Sequence, residues 1–430
     1  MVEQRRLTTQ QVAARLGVKP ETVYAYVSRG LLGSRRGAGG RASTFDPDEV
    51  ERLARRRRGR PDAGSAVERE HDAAGPVYSG VTLIEGDRYY YRGVDPVELA
   101  RRTSFEPVAW WLWTGEERLD PQFVAPAAGL AAARAAGDAL PPQAGLVDRL
   151  RVAAVAAAAV DPVRFDLRPG TVAATARGLI ATFVDALPRR DGRSEDTGRD
   201  TTGSTGGAAA EGEFIAERLW PRLTDRPAGP YAVHILDRAL VLLIDHGLAA
   251  STVTARAAAS ARAHPYAVVS AALGTAEGPL HGGASGLAHR MLIDVLERGA
   301  EPVVAEHLRA GRRIPGLGHR LYRTNDPRAQ VLFERLAAMP EAAPALAAAR
   351  AVTETAATHL PLPANVDLAL ATLTVAAGMP PEAGEAIFTV ARTAGWIAHA
   401  LEEYDERALR VRVTGRYEGP PPPQPLPSLF

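Results

Sequence analysis

The sequence predicts an all-α protein, a large helical body preceded by a small winged helix-turn-helix module. Two patterns predict it. From Ser104 onward, alanines and leucines recur at helical spacing through most of the chain. Ahead of that, residues 7–60 read as helix, glycine turn, helix and basic loop. A third observation separates the two parts. Residues 1–60 hold fourteen basic residues, Lys19 and thirteen arginines, against six acids, a balance of +8. The other residues balance to −7, so the overall +1 is a cancellation.

The elements follow in chain order. Thr8 or Thr9 caps a first helix through Gln10–Leu16, with Val12, Ala13 and Leu16 on one face and Gly17 at its end. Pro20 opens a second helix marked by Val23 and Val27. The glycine- and arginine-rich loop 33–43 is the wing, and Asp46-Pro47 starts a third helix through Arg57. Residues 61–76 are small and polar and read as a linker. Residues 78–100 alternate like short strands with turns, then enter a helix. Helices follow, interrupted at 190–213 by a low-complexity segment read as a flexible surface insertion. The proline-rich end from Gly419 cannot be helical.

Composition excludes several functions. With 430 residues and 46% hydrophobic content the chain can build a sizeable core. The longest apolar run, Val152–Val160, is too short to span a membrane, and the N-terminus has no signal-peptide core, so a cytoplasmic location is expected. Zero cysteines exclude disulfides, thiolate zinc sites and cysteine nucleophiles.

Three segments place polar residues beside tight-turn glycines: 278–284 (GPLHGGA), 314–329 (IPGLGHRLYRTNDPRA) and 362–367 (LPANVD). They offer His281 and His319 on glycine-built loops, the carboxylate of Asp367, and Arg328. That set suits acid/base work on an anionic substrate. The other histidines, His71, His234, His264, His289, His307, His359 and His399, read as surface or satisfied core residues. His246 sits in the apolar stretch ALVLLIDHGLAAST, read as helix.

These segments closely resemble the citrate synthase family. Further likeness lies in Asp245-His246 followed by Ala250-Ser251-Thr252, in ARTAGWIAHALE (391–402) and in residues 89–116, all in family order. The resemblance implies a large domain (77–284 and 389–430) and a small domain (285–388) that close over acyl-CoA and 2-oxo acid. It implies a homodimer and no tightly bound cofactor or metal. Asp367 would take a proton from the methyl group of acetyl-CoA. His281 would donate to the thioester oxygen as a neutral imidazole, its cationic form disfavoured by a nearby helix N-terminus. His319 would polarise the ketone of oxaloacetate. His246, Arg328 and Arg392 would bind the oxo acid, and Arg412 would reach a second subunit's site. CoA would lie along residues 313–318, at Arg313, Gly316, Leu317 and Gly318. The family's polar residues are replaced at Leu243, Gly247, Ala249, Ser285 and Gly286, and its aromatic at Leu368. The polar shell of the pocket is thinned, which leaves the oxo acid open.

The first module resembles DNA-binding domains of the MerR/excisionase type. The resemblance places Glu21, Thr22 and Tyr24 toward bases, and Lys19, Arg29, Arg35, Arg36 and Arg41 toward phosphates of double-stranded DNA. A transcription regulator with a metabolite-sensing body, and a 2-methylcitrate synthase using propionyl-CoA, are the alternative functions.

Overall fold

The computed structural model describes residues 7–16, 18–28, 32–36, 43–47, 50, 77–191, 213–411 and 418–419. They fall into two units, a head within residues 1–75 and a body within 76–413.

In the head, β1 (Leu7–Thr8) leads into α1 (Thr9–Leu16), followed by α2 (Pro20–Ser28), β2 (Ser34–Arg36) and β3 (Ser43–Phe45). Gln11 caps the entry to α1: its side-chain oxygen accepts from the Thr8 N–H at 2.9 Å. The strands form one antiparallel sheet in the order β1-β3-β2, with Leu7 opposite Phe45 and Arg35 opposite Thr44. Val12, Ala13, Leu16, Val23, Leu32, Phe45 and Val50 make its core. This is the winged arrangement expected. Most of the expected third helix, Arg29, Arg41 and the linker lie outside the described residues, as do the side chains of Glu21, Tyr24, Arg35 and Arg36.

The body opens with a hairpin, β4 (Thr82–Glu85) and β5 (Arg88–Tyr91), paired from Thr82↔Tyr91 to Glu85↔Arg88. Its two-residue turn holds Gly86 at φ +59°, the left-handed conformation glycine adopts without strain. Helices then follow: α3 (Pro96–Arg102), α4 (Phe105–Thr114), α5 (Ala127–Asp138), α6 (Leu146–Val160), α7 (Pro169–Ala186), α8 (Ile215–Leu223), α9 (Ala232–Leu243), α10 (Ala250–Ser260) and α11 (Pro265–Ala276). After the GPLHGGA turn come α12 (Ala284–Arg298), α13 (Ala300–Arg309), α14 (Pro327–Leu336), α15 (Ala343–Ala357), α16 (Val366–Ala376) and α17 (Ala383–Asp405). Residues 192–212 lie outside the described residues. None of the described helices is long and apolar enough to cross a membrane.

Alanine and glycine on the helix faces allow close approach, and α17 is the element around which the body packs. From Ala383 to Ala400 most of its side chains are buried against α4, α7, α9, α10 and α11. A second side-chain cluster joins α12, α13, α15 and one face of α16, with Ile314 and Leu317. α14 and the other face of α16 belong to the first cluster. α16 therefore has a foot in each, and its first turn carries Asp367.

Candidate active site

Each candidate side chain is placed by a turn whose sequence forces its shape. α9 ends at Leu243, and Gly247 adopts φ +63°. The buried Asp245 carboxylate accepts from the Gly247 N–H at 2.9 Å, closing the turn that presents His246. His246 is thus on a connector past the helix end, a correction to its helical placement. The apolar run that suggested helix belongs to α9 and stops where Asp245 captures the backbone. Glycine holds that φ without strain, where a side chain would not.

His281 precedes the Gly282-Gly283 pair. A Cβ on Gly282 would meet the Ala276 carbonyl oxygen at 2.6 Å, so only glycine lets the turn fold onto the end of α11. The Ser251 hydroxyl lies 2.7 Å from His281 Nε2, and Trp396 Nε1 donates to the same oxygen at 3.1 Å. An indole N–H can only donate. The bond accepted from Trp396 leaves the hydroxyl hydrogen available to donate to His281 Nε2, and in that tautomer the ring proton sits on Nδ1. Burial, with the nearby Arg392 cation second, lowers the His281 pKa to about 4. Burial thus favours the neutral ring that the sequence reading expects of His281.

Gly316 and Gly318, at φ +79° and +76°, shape the loop before His319. At Gly316 a Cβ would stand 2.7 Å from Leu368 Cβ. The loop is bound to the segment ahead of α16, with Gly318 N–H donating to Pro363 O and Asn365 N–H to Gly316 O. Asn365 caps α16 through the N–H groups of Asp367 and Leu368. Asp367 is therefore not the cap, and its carboxylate is left for other work. Leu317 spends its side chain in the second core and Arg313 is exposed, so this loop offers a CoA mainly backbone.

Asp326 caps α14 and also accepts from the Val366 N–H at 2.9 Å, which pins the start of α16 beside it. Its carboxylate holds Arg328 bidentately at 2.9 and 2.8 Å. Arg328 is only 3% exposed, so a surface role is excluded. Burial disfavours its charge, and Asp326 more than restores it.

The backbone N–H groups of Leu321 and Tyr322 approach His319 Nδ1 at 3.1 and 3.3 Å. Backbone amides and a guanidinium only donate, and Arg328 Nη2–H is directed at Nε2 at 3.3 Å. Both ring nitrogens are thus faced by donors, an environment that disfavours the cationic ring. Burial, then Arg328, lowers the His319 pKa to about 4, so the ring is neutral at pH 7. His246 packs edge-on to His319 at 5.2 Å, and its pKa lies well below the usual value through burial, Arg328 and Arg392.

Tyr322 is the residue the sequence reading passed over. Its hydroxyl is 2.6 Å from His246 Nε2, and its ring stacks on His319 at 4.7 Å. Its position three residues after His319 was the available signal. Arg392, 1% exposed on α17, donates from Nε to the Leu243 carbonyl. Among the described residues no carboxylate lies within ion-pair distance of it, so it is not a structural ion pair. Its charge acts on both His246 and His281. Burial raises the Asp367 pKa to about 6, against the pull of Arg328. The structure therefore joins His246, His319 and Arg328 directly, and couples Asp367 and His281 to them through Arg328 and Arg392. Arg412 lies outside the described residues.

Comparison with known proteins agrees with the fold and shows the family. The citrate synthase of Haloferax volcanii is 33% identical over 362 residues, covering 79% of this chain and 93% of that protein. The 2-methylcitrate synthase 1 of Corynebacterium glutamicum is 25% identical, covering 80% and 92%. Among solved structures, citrate synthase from Thermotoga maritima superposes with a TM-score of 0.63 at 26% identity, over 82% of this chain and 95% of that one. A ternary complex of Thermoplasma acidophilum citrate synthase with carboxymethyl coenzyme A and oxaloacetate shares the fold, with a TM-score of 0.66 at 21% identity, over 85% and 99%. Residues 6–58 match the model described as helix-turn-helix domain, and residues 75–412 match citrate synthase, C-terminal domain. The chain belongs to the citrate synthase family, an acyltransferase-type enzyme that carries a helix-turn-helix domain ahead of its catalytic body.

Proposed function

We propose that the protein condenses acetyl-CoA with oxaloacetate, releasing citrate and CoA, with no tightly bound cofactor. The observation that carries this reading is the gathering of His246, His319 and the buried Arg328 in one place, with Arg328 Nη2 3.3 Å from His319 Nε2. An oxo-acid carbonyl oxygen fits there, and its carboxylates suit the arginines Arg328 and Arg392. Asp367 takes a methyl proton from the thioester. His281 Nδ1–H stabilises the enolate oxygen that forms, and a neutral imidazole does so without transferring its proton. The enolate carbon attacks the ketone carbon, His319 donates to the forming alkoxide, and water restores the proton that the neutral ring gives up. Water then hydrolyses the resulting citryl thioester to citrate and free CoA.

The test is thiol release from acetyl-CoA in the presence of oxaloacetate. Turnover that needs both substrates supports the reading; a folded protein with none refutes it. Propionyl-CoA assayed alongside addresses the 2-methylcitrate alternative, a difference of one methylene worth about 1–3 kcal/mol. A homodimer is part of the proposal. Support comes from exposed apolar side chains, Val155 on α6 and Val253 on α10, two helices that both pack on α11. Arg412, by the family resemblance, would then serve the second site.

A second reading is favoured by the +8 head and its winged fold. In it the head binds double-stranded DNA, with Lys19 and Thr22 as candidate contacts on the described surface, and the body reports metabolite binding. The two readings are compatible.

A further inference from the structure

We propose that His399 is a positioning residue for the oxo-acid site, acting through Asp245 on the turn that carries His246. The inference rests on the reading of that site as an oxo-acid pocket.

His399 lies on α17, fully buried, two turns beyond Arg392. Arg256 Nη1 is 2.9 Å from its Nδ1, and the Asp245 carboxylate is 3.3 Å from its Nε2. A guanidinium in a protein is always charged and only donates. His399 Nδ1 must therefore accept, and the single ring proton of a neutral imidazole sits on Nε2, pointing at Asp245. Arg256 is itself fixed by Glu402 at 2.7 Å and Glu403 at 3.0 Å. The result is a directed chain, Arg256 to His399 to Asp245.

Asp245 passes this order to the site. One of its oxygens accepts from Thr82 Oγ1 at 2.6 Å and from the Gly247 N–H at 2.9 Å. It thereby spans His246 and closes the turn. Two further contacts clamp the same turn to α17. Arg392 donates to Leu243 O, and Gly395 packs where any Cβ would meet the Ile244 carbonyl oxygen at 2.2 Å. α17 thus supplies one side chain of the proposed site, Arg392, and sets the angle of another, His246, from behind. With the polar shell thinned at Leu243, Gly247 and Ala249, the turn and the Tyr322 hydroxyl are what aim His246.

Two substitutions in the full chain separate positioning from simple filling. In His399→Gln the amide nitrogen can reach the Nε2 position and still donate to Asp245. In His399→Asn the amide ends near the Nδ1 position and can accept from Arg256, but Asp245 is lost to it. The expected result is a KM for oxaloacetate, and a calorimetric dissociation constant for oxaloacetate alone, that rise roughly tenfold or more in the asparagine variant. In the glutamine variant both stay within about threefold of wild type. The KM for acetyl-CoA and kcat change little in either. Equal effects of the two variants would overturn the proposal, since a residue that only fills space does not distinguish the ends of the ring. A nitrogen-15 spectrum of histidine-labelled wild-type protein gives a readout independent of activity. His399, assigned as the resonance missing from whichever variant folds, should show the neutral Nε2–H form. The Nδ1–H form or an imidazolium would overturn the proposal. A wild-type protein that neither binds nor turns over oxaloacetate, yet shows the Nε2–H form, would instead overturn the functional reading and leave the chain of hydrogen bonds standing.

Discussion

At Asp367 the chemistry depends on which side chains hold protons near neutral pH. The base must be ionised, and its raised pKa of about 6 sets where that fails. His281 and His319, at about 4, stay neutral through that range and cannot cause the same loss. The expected kcat/KM profile therefore falls tenfold per unit below an apparent pKa near 6, and a profile flat to pH 5 would remove Asp367 from the role of base. Asp367→Asn should lower turnover by at least about a hundredfold, because an amide cannot accept the proton. Ser251→Ala makes a different demand. It leaves His281 in place but removes the hydroxyl that fixes its ring proton on Nδ1. Turnover should fall roughly tenfold or more with little change in KM for acetyl-CoA, measured by the same thiol assay. An unchanged kcat would mean that His281 is oriented by something other than the Trp396–Ser251 relay.

Elements show why some of the site was legible in the sequence and some was not. Helical spacing and glycine punctuation gave the order of helices and the loops bearing His281 and His319, because a positive-φ glycine leaves a mark that does not depend on tertiary contacts. His246 was misplaced, since an apolar run cannot reveal that a buried aspartate ends the helix one residue earlier. Tyr322 and Ser251 act through contacts 76 and 30 residues away in the chain, which no local pattern records. His399 was read as an ordinary core histidine, and it is one by burial; only its partners give it direction. The lost asparagine at Ala249 has an element-scale consequence too. Ala249 is the N-cap of α10, in extended conformation with no side-chain cap bond. Ala249→Asn should restore a bond to the open N–H groups of the first turn, adding about 1 kcal/mol. For a body of this size that corresponds to a rise of about 1–2 °C in thermal midpoint. A lowered midpoint would show that the turn after Gly247 has no room for the side chain.

For the whole molecule, the near-zero net charge hides two surfaces with opposite affinities. Residues 61–430, at −7, are repelled by a polyanion, so any binding to DNA must be carried by residues 1–60, at +8. Charge alone would give only weak, sequence-independent attraction, but the head also has a shape: α2 follows α1 as a recognition helix would, and β2 and β3 form a wing. If the wing meets phosphates, each arginine it contributes releases about one counterion on binding. The full chain, titrated onto double-stranded DNA over a series of salt concentrations, should then bind more weakly as salt rises. Removing Arg35 and Arg36 together should reduce the slope of log K against log salt by about two, uniformly across sequences. Thr22→Ala on α2 should act differently, changing the preference among sequences while leaving the slope nearly as it was. Binding that ignores salt, or a slope unmoved by the double arginine variant, would mean that the head's charge serves a contact other than DNA. The arginines of the body give the internal contrast. Arg328 and Arg392 are buried. On the proposed reading they hold the oxo acid's carboxylates, so substituting them should abolish turnover without touching the salt slope.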